Sequence, residues 1–293
     1  MKILMSVLVL FLALGAQAKH GIMQIQNRVT PKMSMMSKKD NLVYYGGPVI
    51  SNVRLYTVFW GPKVDSKLKQ DMPKFYSAYV SSAQMEWLDQ YNTRLQSVSH
   101  TEGTNQHIGR GNYGGDFEIT PKNTSTNLQD ADVQAELEYQ IAQNILPKPD
   151  ENSLYMIHFP MNVKITIEGQ SSCSSFCAYH EGFKSKTFGN VFYGVMPDLK
   201  SSGCSFSCAM GSSSFNATTY VSSHELVEAV TDPFPTPGSH PAFPQAWNTT
   251  GGEEIADVCE TSSTLTAGGT VFAITKLWDN SIGACSSATY TNP

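Results

Sequence analysis

One stretch of the chain, residues 223–233, carries residue types at a spacing suited to metal chemistry. Its sequence is typical of a short helix, and residues four apart lie on one face of a helix. His224 and Glu228 are therefore predicted to point the same way, as the two histidines of a His-Glu-x-x-His zinc helix do. Glu225 occupies the position of the water-activating glutamate in that motif. The spacing predicts a metal-binding pair beside a general base, with glutamate in place of the second histidine.

The alternative for this stretch is an ordinary helix. His-Glu-x-x-Glu is a short pattern that arises by chance on many amphipathic helices. Ser222 and Glu225 also have the spacing of a capping box, which would mark a helix start and nothing more.

An acidic cluster downstream, residues 252–257, supplies further candidate ligands: Glu253, Glu254 and Asp257. In a Glu-x-x-Asp pair, one carboxylate can bind a metal while the other orients a histidine. The separation from the His224 helix is similar to that at which gluzincin proteases supply a third zinc ligand from another helix. A solvated acidic turn is the alternative interpretation.

The N-terminus has the features of a secretory signal peptide over residues 1–18. Lys2 precedes an apolar run, and Ala16 and Ala18 form a small-residue cleavage site. No later stretch approaches the ~18 consecutive apolar residues of a membrane-spanning helix. We therefore expect a secreted, extracellular or cell-surface protein with no transmembrane anchor.

The composition narrows the class of protein further. The 293 residues are 41% hydrophobic and 15% charged, which favours a single large core over residues 42–293. Residues 19–41 show no sustained period and are predicted to be a flexible arm or pro-segment. The net charge of -5, without a basic run, argues against nucleic acid or anionic membrane as a partner.

The six cysteines all lie late in the chain, and an exported protein is expected to oxidise them. We predict three local disulfides, in which Cys173 pairs with Cys177, Cys204 with Cys208, and Cys259 with Cys285. The alternative for the first four is a zinc knot, which is disfavoured because an oxidising compartment endangers thiolates.

Helix and strand patterns alternate along the chain and favour an α+β (mixed α/β) fold with a central mixed sheet. Predicted strands cover residues 43–50, 53–60, 154–159, 163–167 and 191–196, and predicted helices cover 66–91, interrupted near Pro73, and 130–145. A Gly-x-Gly-x-x-Gly string at 109–114 lacks a preceding strand and is followed by a strand-like run, so it is interpreted as a turn. Glycosylation acceptors stand at Asn123, Asn216 and Asn248 if the source is a eukaryote, in which case the product is a glycoprotein.

Several blocks together resemble the exordium-like (phosphate-induced protein) family of secreted proteins, from residue 42 to near the C-terminus. The blocks are Phe59-Trp60-Gly61, Cys173 to His180, Cys204-x3-Cys208, His224-Glu225-Leu226-x-Glu228, Ala246-Trp247, Glu254-Ile255-Ala256-Asp257-x-Cys259, and Trp278-x-Asn280 with Cys285.

The resemblance implies an exported, disulfide-bearing, zincin-like domain of the metalloprotease type; plant members of the family are associated with the cell wall and growth control. It implies His224, Glu228 and Glu254 as metal ligands and Glu225 as the base. Asp257 is implied as a further ligand or as a partner that orients one. As the third metal ligand, the resemblance favours Glu254 over Glu253. Glu253 and Asp257, however, have the spacing of the ligand and its orienting partner in thermolysin-like enzymes, so both glutamates remain candidates for the third ligand.

His180 also falls on one of these blocks, where it could donate to a transition state or bind metal. A hydrogen-bonded structural histidine is the commoner role. No other candidate ligand lies at a metal-binding spacing from His107, His158 or His240. We therefore expect these three histidines in the core or on the surface.

These residues lead to one main functional hypothesis and two alternatives. The main one is a secreted zinc-dependent hydrolase, a metallopeptidase acting on a peptide or protein substrate. One alternative is a non-enzymatic secreted or cell-wall protein with a structural metal, for which calcium suits the carboxylates. The other is a cell-surface module that binds carbohydrate, such as that of cell-wall material, through aromatic rings, for which the candidates are the thirteen tyrosines and Trp60, Trp87, Trp247 and Trp278.

Overall fold

The secondary structure is given by a computed structural model that describes residues 21–25, 41–200, 204–208, 213–235, 240–259, 261–286 and 288–291. The predicted signal peptide and most of the predicted arm lie outside these residues. The strands are β1 Ile22–Gln24, β2 Val43–Tyr44, β3 Arg54–Trp60, β4 Asn112–Ile119, β5 Asn127–Gln129, β6 Ser153–His158, β7 Lys164–Ile167, β8 Gln170–Ser171, β9 Phe176–Ser185, β10 Gly189–Met196, β11 Trp247–Asn248, β12 Ser262–Ala267, β13 Thr270–Thr275, β14 Trp278–Asp279, β15 Ala284–Cys285 and β16 Tyr290–Thr291. The helices are α1 Ser66–Val80, α2 Ala83–Trp87, α3 Asp130–Ala142, α4 Cys204–Cys208 and α5 Ser214–Thr231, with a 3-10 turn at Leu88–Tyr91.

A six-stranded mixed sheet forms the centre of the fold, in the order β1-β9-β10-β6-β3-β4. The four strands from β10 to β4 are parallel to their neighbours, whereas β9 and β1 pair antiparallel. Helices α1 and α3 occur in the connections between the parallel strands, as parallel pairing requires. The predicted α+β class with a central mixed sheet is confirmed.

Both faces of the sheet are buried, which β6 illustrates. Leu154 and Met156 point into the core that includes apolar residues of α1 and α5. Tyr155 and Ile157 point into a second core with residues of α3. Because alternate side chains of a strand face opposite sides, a strand between two helical layers is apolar throughout.

Two of the predicted elements differ from the structure. Helix α1 continues through Pro73 and ends at Val80, so the predicted interruption near Pro73 is wrong; the break lies at Ser81 and Ser82. Burial of Phe75, Tyr76 and Tyr79 in the core outweighs the local cost of proline. The predicted strand 43–50 is wrong beyond β2, since the residues after Tyr44 are irregular although largely buried.

The remaining predicted elements are close to the observed ones. Strands β3, β6, β7 and β10 and helix α3 match within a few residues. The strand-like run after the glycine string is part of β4 as predicted, but β4 begins at Asn112, so the turn prediction for 109–114 is wrong for the second half of the string. Long strands β9, β12 and β13 were not predicted. In β9 the first five residues are all buried, so the sequence carries no alternating pattern there.

The disulfides link different elements. They join Cys173 to Cys204, Cys177 to Cys208 and Cys259 to Cys285. The third pair was predicted, but the two predicted local pairs are wrong. Cysteines four apart on α4 lie on the same helix face, which packs against β9, so each meets a cysteine at or just before that strand. With all four sulfurs in disulfides, no zinc knot forms there.

Within the described part of the chain, no helix is both long enough and apolar enough to span a membrane.

Candidate metal centre

Helix α5 positions three of the predicted site residues. It begins at Ser214, where the Ser213 side chain accepts a hydrogen bond from the backbone N–H of Asn216. Ser222 therefore lies in the middle of the helix, and the capping-box interpretation is wrong. Every residue from Ala217 to Thr231 is buried, so the helix is surrounded by protein on all sides.

The predicted pair on α5 faces a residue of the downstream acidic cluster. His224 Nε2 lies 3.1 Å from Glu228 Oε1 and 3.4 Å from Asp257 Oδ1. One ligand atom from each of these three residues falls within 4.8 Å of the others. His224, Glu228 and Asp257 thus form one candidate ligand group, which we call the helix-side trio.

Backbone groups of the acidic segment fix the carboxylate of Glu228. Its Oε1 accepts hydrogen bonds from the backbone N–H groups of Ala256, at 3.3 Å, and Asp257, at 3.1 Å. The acidic segment is itself anchored in two ways. The backbone N–H of Trp278 donates to the backbone carbonyl of Ile255, and a disulfide joins Cys259 to Cys285. The tertiary structure therefore brings the His224 helix and the acidic segment together.

A second ligand group shares Glu228. His180, on β9, lies 3.5 Å through Nε2 from Glu254 Oε1 and 4.0 Å through Nδ1 from Glu228 Oε2. Ligand atoms of these three residues again fall within 4.8 Å of one another. We call His180, Glu228 and Glu254 the strand-side trio.

His180 also contacts the predicted base. Its Nδ1 lies 3.2 Å from Glu225 Oε2, and its Nε2 lies 3.1 Å from the backbone carbonyl of Asp232. The Asp232 carboxylate accepts hydrogen bonds from the Ala246 N–H and the Asn248 side-chain amide. The end of α5 thus holds one side of the imidazole while Glu225 meets the other.

Several polar atoms of the cluster are buried without a hydrogen-bond partner. This is unusual because an unpaired buried polar group costs about 1–3 kcal/mol, and more when it is charged. The atoms are His224 Nδ1 and Nε2, Glu225 Oε1, Glu228 Oε2, and both carboxylate oxygens of Glu254. Some of them lie at ion-pair distance from a neighbour but without hydrogen-bond geometry.

The charge of the cluster is also unbalanced. Its carboxyl groups, on Glu225, Glu228, Asp232, Glu254 and Asp257, outnumber its two imidazoles. Among the described residues, no lysine or arginine forms an ion pair with any of them. Of the six residues formed by the two trios and Glu225, five are at most 2% exposed, and the sixth, Asp257, has a side chain that is 14% exposed. Because buried negative charge requires a counter-charge, the donor set fits a bound cation.

The pKa values follow from this crowding. Burial by itself would lower the pKa of each imidazole, but the carboxylates of Glu254 and Glu225 around His180, and of Glu228 and Asp257 around His224, raise both pKa values well above the ordinary range. Burial raises the pKa of Glu225 to about 7 and that of Glu254 well above its usual value. Without a cation, protons must neutralise the cluster.

The six predicted site residues therefore come together in space: His180, His224, Glu225, Glu228, Glu254 and Asp257. Glu253 belongs to neither trio; its backbone N–H donates to the Thr249 hydroxyl. Asp232, directly after α5, accepts a hydrogen bond from the backbone N–H of Ala246, and its own carbonyl lies 3.1 Å from His180 Nε2. Its place beside His180 could not be predicted, since the two are joined only by packing of α5 against β9.

The other histidines and the tryptophans take structural positions. His158 is buried, with Nε2 2.9 Å from the Tyr76 hydroxyl, whereas His107 is exposed beside Asp89 and His240 is exposed. Trp60, Trp247 and Trp278 are buried. These three indole rings are therefore not available to stack on a carbohydrate.

No protein family, curated protein or solved structure matches this chain. The resemblance to the exordium-like family therefore stays a prediction.

Proposed function

We propose that this protein is a secreted zinc-dependent hydrolase, and specifically a metallopeptidase that acts on a peptide or protein substrate. The observation that carries the proposal is the meeting of His224, Glu228 and Asp257 next to Glu225, with buried polar atoms of His224, Glu225 and Glu228 that have no hydrogen-bond partner. A metal-binding group next to a carboxylate that can take a proton is the arrangement that metal-assisted hydrolysis needs.

His224, Glu228 and Asp257 would hold the zinc, with Glu254 as the other candidate third ligand. One imidazole nitrogen with carboxylate oxygens is a donor set that zinc accepts. When bound there, zinc would supply Lewis acidity and lower the pKa of water toward ~7. The carboxylates reduce the positive charge of the ion, which makes the protein's own base more important.

Glu225 is suited to act as that base. Its Oε1 has no partner, while its Oε2 lies beside His180 Nδ1, so the carboxylate has one oxygen held and one available. A pKa of about 7, raised by burial, suits a group that accepts a proton near neutral pH and returns it to a leaving amine. His180 acts here as a positioning residue for the base.

Two observations support secretion. Three disulfides are expected of a protein that folds in an oxidising compartment. The N-terminal residues have the pattern of a cleaved signal peptide.

The proposal is tested with the mature protein, from which metal is removed by a chelator and to which zinc is then returned. Hydrolysis of a peptide library should disappear with the metal and return with zinc. His224→Ala should lose both metal and activity, whereas His107→Ala, which changes a surface histidine beside a carboxylate, should keep both. Hydrolysis that survives in metal-free protein would overturn the proposal.

A second candidate function is a structural metal site without catalysis. The observation that favours it is burial: His224, Glu225, Glu228 and Glu254 are at most 2% exposed, so these side chains have almost no contact with solvent in this conformation. A hard cation such as calcium would suit the carboxylates. A metal that raises thermal stability while no peptide is cleaved would favour this function.

A further inference from the structure

Glu228 has an unusual position in the cluster because it belongs to both ligand trios. Its Oε1 lies 3.1 Å from His224 Nε2, and its Oε2 lies 4.0 Å from His180 Nδ1. The two imidazoles therefore lie next to different oxygens of the Glu228 carboxylate. A carboxylate placed in this way can bridge two cations.

The two oxygens of Glu228 have different surroundings. Oε1 is held by the backbone N–H groups of Ala256 and Asp257, which fixes the orientation of the whole carboxylate. Oε2 is buried and has no hydrogen-bond partner. A cation on the helix side alone would leave Oε2 unsatisfied, at a cost of about 1–3 kcal/mol or more for a charged group.

Glu254, in the strand-side trio, also has carboxylate oxygens that are not satisfied. Both of its carboxylate oxygens are buried without a hydrogen-bond partner, and the residue is 2% exposed. Its nearest charged neighbour is His180, at 3.5 Å. The helix-side trio does not include Glu254, so a single cation there would not satisfy it.

His180 has the hydrogen bonding of a metal-ligating histidine. Such a histidine usually donates from one ring nitrogen to a carboxylate or backbone carbonyl and binds metal through the other. Nε2 lies 3.1 Å from the carbonyl of Asp232, the residue that follows α5. When Nε2 donates there, Nδ1 carries the lone pair and would bind a cation beside Glu228 Oε2. In that tautomer Nδ1 donates no hydrogen bond to Glu225 Oε2, so the second cation would replace the contact that positions the base.

The charges of the cluster also favour a second divalent cation. Of the five carboxyl groups of the cluster, that of Asp232 already accepts hydrogen bonds from Ala246 and Asn248. The other four, on Glu225, Glu228, Glu254 and Asp257, carry four negative charges when ionised, and each divalent cation neutralises two. One cation would leave a buried excess of negative charge with no lysine or arginine ion pair among the described residues. Two divalent cations balance these four carboxylates, as in hydrolases whose two metals lie about 3.5–4 Å apart.

We propose that the cluster binds two divalent cations bridged by Glu228, one with His224 and Asp257 and the other with His180 and Glu254. This inference rests on the proposed metal-dependent function and adds a second ion to it. Because each ion has an imidazole ligand, the site should prefer zinc to calcium.

The experiment counts ions. The metal-free mature protein is loaded with excess zinc, desalted, and analysed by mass spectrometry for zinc per chain. Two equivalents are expected in the unaltered protein, and one equivalent in His180→Ala and in His224→Ala. His107→Ala is the matched control and should keep two equivalents. Circular dichroism checks that each variant is folded, and Glu254→Gln replaces His180→Ala if that variant does not fold.

Manganese provides a second measurement that does not depend on activity. Two Mn²⁺ ions bridged by one carboxylate give an exchange-coupled spectrum by electron paramagnetic resonance, whereas separate ions give the ordinary six-line signal. The coupled spectrum should be present in the unaltered protein and be lost in His180→Ala. A six-line signal at full loading would overturn the inference.

The outcomes separate this inference from the proposed function. One equivalent of zinc together with peptide hydrolysis would overturn the second ion and leave the hydrolase intact. Two equivalents without any hydrolysis would support the paired site and overturn the hydrolase. No bound zinc or manganese at saturating concentration would overturn both.

Discussion

His180 Nδ1 lies 3.2 Å from Glu225 Oε2, although the two residues are 45 positions apart in the chain. One residue is on the central sheet and the other on the helix that packs against it. Both side chains are fully buried. The contact means that the central sheet holds the predicted base beside the face of α5 that carries the candidate ligands.

Replacement of the base tests the catalytic part of the proposal. Glu225→Gln keeps the size of the side chain but removes its ability to accept a proton. We expect peptide hydrolysis to fall roughly 10²–10⁴-fold while metal content stays unchanged. Turnover numbers and metal analysis on the same preparation check this.

Glu181→Gln is the matched control for that variant. Glu181 follows His180 on β9, and its side chain therefore points to the opposite face of the sheet. Normal turnover is expected there. Unchanged turnover in Glu225→Gln would remove Glu225 from the mechanism.

Adjacent glutamates in the acidic segment separate the two candidate ligands. Glu254 is 2% exposed with both oxygens partnerless, whereas Glu253 belongs to neither trio. Glu254→Gln should therefore lower the bound metal, and Glu253→Gln should leave it unchanged, by metal analysis of both. Metal loss in Glu253→Gln alone would restore the thermolysin-like spacing as the correct interpretation.

Metal removal should destabilise the fold, because the buried carboxylates would lose their counter-charge. A ligand at about 100 times its dissociation constant stabilises the folded state by ~2.7 kcal/mol. For a chain of this size, that corresponds to a fall in melting temperature of roughly 5–10 °C after chelation. Differential scanning calorimetry with zinc, manganese and calcium added back measures the effect.

The order of recovery identifies the ion. Zinc should restore the melting temperature better than calcium, because each trio contains an imidazole. Better recovery with calcium would favour the structural site. Identical melting curves with and without chelator would mean that no metal stabilises the protein.

The disulfide pattern can be mapped chemically. Trypsin cleaves after Lys184, Lys186 and Lys200, which lie between Cys177 and Cys204. Under non-reducing conditions, the peptides that carry Cys173 with Cys177 and Cys204 with Cys208 should therefore remain joined. Mass spectrometry before and after reduction measures the linkage. Separate peptides before reduction would mean that the pairs are local.

His158, which belongs to neither trio, should make stability depend on pH. Burial lowers its pKa to about 3, against 6.5 for an ordinary histidine. The unfolded chain therefore binds a proton that the folded chain does not, so stability is full above pH 6.5 and is lost as the pH falls toward 3. Between pH 7 and 4.5 the loss from this residue is roughly 2–3 kcal/mol.

Urea unfolding at the two pH values, in the presence of chelator, measures that loss. His158→Gln should flatten the pH dependence relative to the unaltered protein, since glutamine does not titrate. His107→Gln changes an exposed histidine and should keep the original dependence. Equal pH dependence in all three proteins would mean that His158 becomes protonated in the folded state.

Local periodicity let the sequence predict a good part of the fold. The strands β3, β6 and β10 are rich in β-branched and aromatic residues, and α3 carries apolar residues at a spacing of four. Elements with weak local signals were missed. The irregular but buried residues after β2 resembled a strand, and the unpredicted β9 is apolar on both faces where it begins.

The sequence by itself determined the pairing of His224 with Glu228, because a helix places residues four apart on one face whatever surrounds it. It also determined which side chains were available as ligands. Only the tertiary structure decided that Asp257 joins this pair, that His180 and Glu254 form a second trio on Glu228, and that disulfides cross between α4 and the β9 region. These contacts join residues far apart in the chain, so they depend on strand order and core packing, which local backbone geometry does not specify.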